Sequence, residues 1–450
     1  MNVRFDDSLV LLAETVKAEL GESALSSGVV LRDTTGRLAF FSASNLGAEK
    51  VVALTEKLQA KLGCYSRADR AVADLSDYGV AEILEDKSIL TIHMGGYEIR
   101  LIDRRLAGAD WLRAPARQAP PPPRFVFSSI KGGVGRSTAL AIVAADLASR
   151  GLKVLAVDLD IEAPGLGSIL LDDDALPEFG LLDALVENGF APLDETFLAD
   201  LVSPSKLAGH RGRIDVMPVL GRRSLSNPAE VLAKIARAYA ENVDANGNVA
   251  TVLDQVSSLI DKFSDHRRYD AILVDARAGL HETSASAILG LGAEVFLFGL
   301  DEPQTYHGFK ILLSHMALFK VDNQLPEWLS RLTIVQGKAP AEASSRQGFS
   351  ERCRDLLIEV GLGPQAAILK VETPSANNAF NVTWDDDIKD EEVLPSEDLL
   401  YLEPIAIIDD PRYKSFNPIL KRDLVEDSIY NSSFRQILDK INSSLPANQD

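Results

Sequence analysis

Residues 124–141 read RFVFSSIKGGVGRSTALA, and this stretch constrains the fold more than any other. "RFVFSSI" is an apolar run of strand type, and it leads directly into glycines at 132, 133 and 135. "STALAIVAADLASRG" then has helical composition and closes on Gly151, a common helix-ending residue. A strand, a glycine loop and a helix in that order make a phosphate cradle. Gly132, Gly133 and Gly135, with Val134 between them, let backbone amides approach an anion without side-chain clash. The helix opening near Arg136 adds its positive dipole end. The common pattern, G-x-x-x-x-G-K-[ST], has a lysine after its last glycine. Here Arg136 holds that place, and Lys131 comes five residues earlier. Ser137 is placed for a hydroxyl contact to Mg2+, and Thr138 for one to a phosphate oxygen.

Beyond the loop, the chain alternates in type. "KVLAVDLD", "RIDVMPV", "YDAILVDA", "EVFLFGL" and "RLTIVQG" read as strands, with "LLDALVENG" and "NVATVLDQVSSLIDKF" as helices between them. Strands that are mostly continuous apolar runs, separated by helices, predict an α/β fold with a mostly parallel sheet flanked by helices. Farther on, "FSERCRDLLIEVG" and "SSFRQILDKI" read as helices and "AAILKVE" as a short strand. "WDDDIKDEE" is an acidic loop, and its Asp385, Asp386 and Asp387 read as solvated charge rather than a metal site.

Four consecutive prolines, Pro120 to Pro123, precede the loop strand. Such a run favours extended polyproline II geometry and reads as a semi-rigid linker. Before it, Leu9, Leu12, Val16 and Leu20 have helical spacing, and "GAEKVVALTEKLQAKLG" is a second helix. "GVVLRD" and "LAFFSA" flank a D-T-T-G turn, and "SILTIHM" and "YEIRLID" suggest a hairpin about Gly95 and Gly96. The expected organisation is a small α+β domain over 1–117, a proline-rich linker over 118–123, the loop-bearing domain over 124–420, and a C-terminal helix and tail over 421–450. His93, in a strand pattern, reads as a packing histidine.

Composition narrows the function. Apolar residues make up 46% and charged residues 25%, ordinary for a globular protein, and no apolar run reaches the ~18 residues a membrane helix needs. With no signal-peptide pattern at the N-terminus, the default location is cytoplasmic. Cys64 and Cys353 stand far apart, which excludes a cysteine zinc site or iron–sulfur cluster within one chain and leaves two inert thiols. The net charge of −20 opposes nonspecific DNA binding. Arg100, Arg104, Arg105, Arg113, Arg117 and Arg124 form the best basic cluster, and they read as solvated or internally paired rather than as a binding patch.

The run KGGVGRST resembles the deviant Walker A loop, K-G-G-V-G-[KR]-[ST]-T, of the ParA/MinD family of P-loop ATPases. The resemblance covers roughly residues 124–340, and makes the 124–420 segment a ParA/MinD-like ATPase domain. It implies ATP and Mg2+ as ligands and a homodimer formed on ATP binding. Lys131 would then reach the partner's phosphates across the interface. "VDLDIEAPG" resembles the family's D-x-D switch, which implies Asp158 near the Mg2+ shell and Asp160 beside the attacking water. "YDAILVDARAG" resembles its Walker B element, with Asp275 toward Mg2+ and the amide of Gly279 toward the γ-phosphate. Gln336 matches a position that contacts adenine in relatives. Arg277 has two readings, a phosphate contact or a surface pair. Arg136 keeps the charge of the usual lysine but is larger and planar, which predicts tight ATP binding with slow hydrolysis.

The leading expectation is an ATP-gated dimerising switch for an unidentified protein partner, without membrane insertion. The alternatives are a non-hydrolysing nucleotide-binding scaffold in a bacterial defence or secretion assembly, and a DNA-partition ATPase, which the acidic C-terminal third disfavours. Reductase relatives need bridging cysteines and tyrosine-kinase relatives need tyrosine-rich tails, and the chain has neither.

Overall fold

A computed structural model describes residues 3–189, 191–243, 249–264, 268–320, 326–363 and 403–446. The expected strand at "AAILKVE" and the acidic loop with Asp385, Asp386 and Asp387 lie outside the described residues. The chain divides into two compact units. One comprises residues 1–115, 239–256 and 281–290; the other comprises 116–238, 257–280 and 291–450. Two stretches inside the 124–420 segment thus group with the N-terminal unit.

The first unit is built on β1 (Val29–Arg32), β2 (Leu38–Phe41), β3 (Val72–Ala73), β4 (Leu90–Met94) and β5 (Tyr97–Asp103), in the order β3-β2-β1-β5-β4. Alternation along the strands sends Val30, Phe40 and Ile99 to one face. There they meet Leu9, Leu12 and Val16 of α1 (Phe5–Leu20) and Leu54, Leu58 and Leu62 of α2 (Ala48–Leu62). Val29, Leu31, Ala39 and Phe41 pack on the other face with Val80. The β4–β5 pair is the expected hairpin, with Gly95 and Gly96 at positive φ in its turn. His93 is not packed. It faces solvent on β4, 3.8 Å from Glu98, because the alternation that buries Ile92 turns its neighbour outward. Cys64 is exposed as well, while Cys353 is buried.

The second unit carries an eight-stranded sheet. Its strands are β6 (Arg124–Ser129), β7 (Lys153–Asp158), β8 (Ser203–Pro204), β9 (Arg213–Met217), β12 (Ala271–Ala278), β13 (Glu294–Gly299), β14 (Leu332–Ala339) and β15 (Ile405–Ile408). The intervening β10 (Asn242–Val243) and β11 (Val249–Ala250) form a separate hairpin. The order is β15-β14-β13-β6-β12-β7-β9-β8, and every pairing is parallel except β8 with β9. This is the α/β architecture the sequence predicts. All six residues of β6 are buried, as a central strand covered on both faces requires. Helix α3 (Arg136–Ser149) packs its small and branched residues, Ala139 to Ala145, into that core, and α4 (Asp427–Ser444) adds Phe434, Ile437 and Ile441.

The proline run lies along this unit rather than standing free. Ala119 donates its N–H to the Gly292 carbonyl at 2.9 Å, and Ile272 donates to the Pro123 carbonyl at 3.0 Å. Gly292 has positive φ, and a Cβ there would overlap the Arg117 carbonyl, so the approach needs glycine. Four of the six arginines in the basic cluster are spent internally. Arg124 is buried against Asp261, Arg113 pairs with Asp254, Arg105 with Asp103, and Arg100 donates to the Ser27 and Leu84 carbonyls.

Candidate nucleotide site

The glycine loop leaves the C-terminal end of β6, at the centre of the second unit's sheet, where open α/β sheets present ligand crevices. Gly133 and Gly135 have φ of 74° and 98°, conformations that L side chains rarely adopt, and a Cβ at 132, 133 or 135 would project into open space. Gly135 is the N-cap of α3, and no side chain caps that end. The first-turn amides, those of Arg136, Ser137 and Thr138 among them, therefore lack the side-chain acceptor that most helices supply. An uncapped helix N-terminus behind an open glycine cradle has the chemistry of an anion site. Ser129 braces the loop by donating its hydroxyl to the Lys131 carbonyl at 2.8 Å.

Strand β12, next to β6, and β7 beyond it bring two carboxyls to this end of the sheet. Asp275 of β12 is in register with Asp158 of β7, and both are buried. Ser137 donates its hydroxyl to Asp275 Oδ2 at 2.5 Å, while Asp275 Oδ1 is buried without a partner. The Asp275 carboxyl is pushed above the ordinary carboxylate range by burial, against the pull of Arg136 and Ser137. Asp158 is pushed up further, by burial and then by Asp275. These hard oxygen donors suit Mg2+, which takes one or two carboxylates and completes its shell with phosphate and water. Ser137 and Asp275 are the residues that would hold it. Asp158 has its oxygens committed otherwise: Oδ1 accepts the Asp160 N–H at 3.0 Å, and Oδ2 accepts from Gly165 and Leu166 at 3.1 and 3.0 Å. It fixes the loop after β7. Among the described residues, no group of three or more His, Cys, Asp or Glu could hold a metal.

Arg136 is buried, and its guanidinium turns inward. It donates to the Ala276 carbonyl and lies 3.6 Å from Asp160 Oδ2. The carbonyl is free because β12 carries a bulge. Three steps from Asp275 to Ala278 match two steps from Phe127 to Ser129 on β6. Asp160 is itself mostly buried, with Oδ1 unpartnered and its pKa raised by burial against the opposing effect of Arg136 and Arg277. Arg277 pairs with Glu162, the two side chains each partly exposed.

Lys131 and Gly279 are also engaged. Lys131 Nζ lies 2.7 Å from Glu302 Oε1, with the two side chains 41% and 32% exposed. Gly279, at φ 93°, donates its amide to the Ser129 carbonyl at 2.8 Å. Gln336 is buried on β14, opposite Gly299 of β13. Loop, D-x-D segment, Walker B end and Gln336 therefore share one edge of the sheet. Glu302, Glu162 and the Ala276 carbonyl escaped sequence reasoning. The one available signal was a charged residue three or four positions after a strand, and for Glu302 it has meaning only once β13 is known to lie beside β6.

Residues 125–287 match the model described as the CobQ/CobB/MinD/ParA nucleotide binding domain. No curated protein matches the chain significantly. Among solved structures, the cell division ATPase MinD of Pyrococcus furiosus is 18% identical, with 72% of this chain and 99% of that chain covered and a TM-score of 0.41. A ParA family ATPase from Chlorobium tepidum is also 18% identical, with 71% and 98% covered and a TM-score of 0.41. A putative plasmid partition protein from Borrelia burgdorferi bound to AMPPNP is 18% identical, with 54% and 89% covered and a TM-score of 0.34. Among the described residues, no helix is long and apolar enough to cross a membrane. From strand β6 through the helical turn after Gly279, the chain is similar to the nucleotide-binding domain that the CobQ/CobB/MinD/ParA model describes.

Proposed function

We propose that the protein is an ATP-binding, slowly hydrolysing ATPase that works as an ATP-dependent dimerising switch for a protein partner. The observation that carries this reading is the division of labour between two cations. Arg136 is buried inside the site, while Lys131 is half-exposed outside it on a single carboxylate. A cation at the rim can be transferred to phosphates presented by a second copy. A cation sealed in the core cannot.

Within one copy, the loop amides and the α3 N-terminus bind and orient the phosphates. Ser137 and Asp275 would hold Mg2+, which would supply neutralisation of phosphate charge. Asp160 orients the attacking water and accepts its proton. Burial raises its pKa and strengthens it as a base, and the Arg136 guanidinium opposes that rise. Gln336 faces the base and Thr138 a phosphate oxygen. The residue 1–117 segment and the acidic C-terminal region supply partner specificity.

The test is the mass in solution by light scattering with ADP and with ATP–Mg2+, alongside phosphate release. The expected result is a shift to a dimer with ATP alone, lost in Lys131→Ala. An unchanged mass with no phosphate release sinks the switch and leaves a static nucleotide-binding scaffold.

A further inference from the structure

The pair Arg277–Glu162 joins two segments that the site needs. Glu162 lies two residues beyond Asp160, and Arg277 lies midway between Asp275 and Gly279. Each side chain is 28% exposed, so the pair sits at the rim, while Arg136 is sealed below it. Arg277 stands in the β12 bulge, a device that re-aims side chains at the end of a strand. Its charge is felt at Asp160, together with that of Arg136. With Arg136 spent on the Ala276 carbonyl, Arg277 is the guanidinium at the mouth of this cluster.

We propose that Arg277 reads the terminal phosphate: it pairs with Glu162 when no γ-phosphate is present and leaves it for a bound triphosphate. The proposal rests on the reading that the glycine loop binds ATP. Three physical facts carry it. A partly exposed ion pair stabilises little, so it is easily exchanged. A guanidinium fork matches phosphate oxygens in a bidentate way, and a terminal phosphate carries more charge than a carboxylate. ADP has no group at that place, so Arg277 stays on Glu162. The exchange removes one link between the Asp160–Glu162 loop and the end of β12, where the Leu159 N–H also donates to the Asp275 carbonyl at 2.9 Å, and the presence of one phosphate becomes a change at that link.

The experiment is calorimetric titration of the full chain with ATPγS–Mg2+ and, separately, ADP–Mg2+. It uses the wild type, Arg277→Gln, Arg277→Lys and Glu162→Gln. Arg277→Gln should weaken ATPγS about tenfold and ADP less than about twofold, the size of one lost charge-assisted hydrogen bond. Arg277→Lys should fall between, and Glu162→Gln should move the ATPγS-to-ADP preference the opposite way. A purely structural pair gives a different pattern: both substitutions move the preference together, or neither moves it while both nucleotides still bind. Either result overturns the assignment and leaves the nucleotide site standing. A wild type that binds neither nucleotide removes the site itself and this role with it.

Discussion

Lys131 and Glu302 form a 2.7 Å ion pair between the glycine loop and the residue immediately before helix Pro303–Met316. The loop's outward cation is thereby held within its own chain. A pair this exposed contributes only about 0.2–1 kcal/mol. Glu302→Gln should therefore favour the ATP-bound dimer modestly, lowering the dissociation constant by at most about fivefold. Sedimentation over a protein dilution series with ATPγS–Mg2+ measures this. A Glu302→Gln dimer weaker than wild type would show that the carboxylate aids association instead of restraining the lysine.

Arg136 differs, because its partners are buried. Removing it leaves the buried Ala276 carbonyl without its donor and the Asp160 carboxylate with Arg277 alone as a nearby cation. Breaking a buried pair by removing one partner costs about 3–5 kcal/mol. Arg136→Ala should lower the melting temperature of the nucleotide-free protein, and Arg136→Lys, which keeps the charge but not the fork, should lower it less. If Arg136→Ala melts with the wild type, the arginine serves phosphate alone and its inward contacts carry no stability.

Much of the site was legible because its parts are local. The strand, the glycines and the helix are contiguous from Arg124 to Ser149, and their spacing states the loop's shape directly. Asp158 and Asp275 could be placed because each ends an apolar run, and strand ends in such sheets gather at one edge. The hidden part depends on strand order. Nothing in "GLDEPQ" says that Glu302 meets Lys131 until β13 is seen beside β6. The close packing of Gly308 is of the same kind: a Cβ there would overlap the Ile130 side chain, so helix Pro303–Met316 can press on the loop only at a glycine. The bracing contacts of Asp158 were hidden for another reason. Three backbone amides of the following loop converge on its oxygens, and a sequence does not show how a chain doubles back. His93 followed a strand pattern correctly, but its face was set by the register of Ile92 and Ile99.

Asp158 and Asp275 make the nucleotide-free fold sensitive to pH. Both carboxyls are buried and have raised pKa values, driven first by burial. Between the ordinary carboxylate pKa and these raised values, the folded chain binds more protons than the unfolded chain. By linkage, their contribution to stability is greatest at low pH and is lost as the pH rises through that interval. Carboxylates with lowered pKa values, such as Asp74 and Asp86, change stability in the opposite sense and at lower pH. The difference between wild type and Asp275→Asn therefore isolates the buried pair. Asparagine keeps the shape and an acceptor for the Ser137 hydroxyl while removing one charge. At about pH 8 the nucleotide-free variant should be the more stable by about 1–3 kcal/mol, and at about pH 4 the gap should close. Added Mg2+–ATP should reverse the order at about pH 8, because only the wild type keeps the carboxylate for the ion. Melting curves of both proteins at the two pH values, with and without Mg2+–ATP, decide it. If the wild type is the more stable nucleotide-free protein at about pH 8, the two aspartates are not strained against each other, and binding an ion relieves nothing.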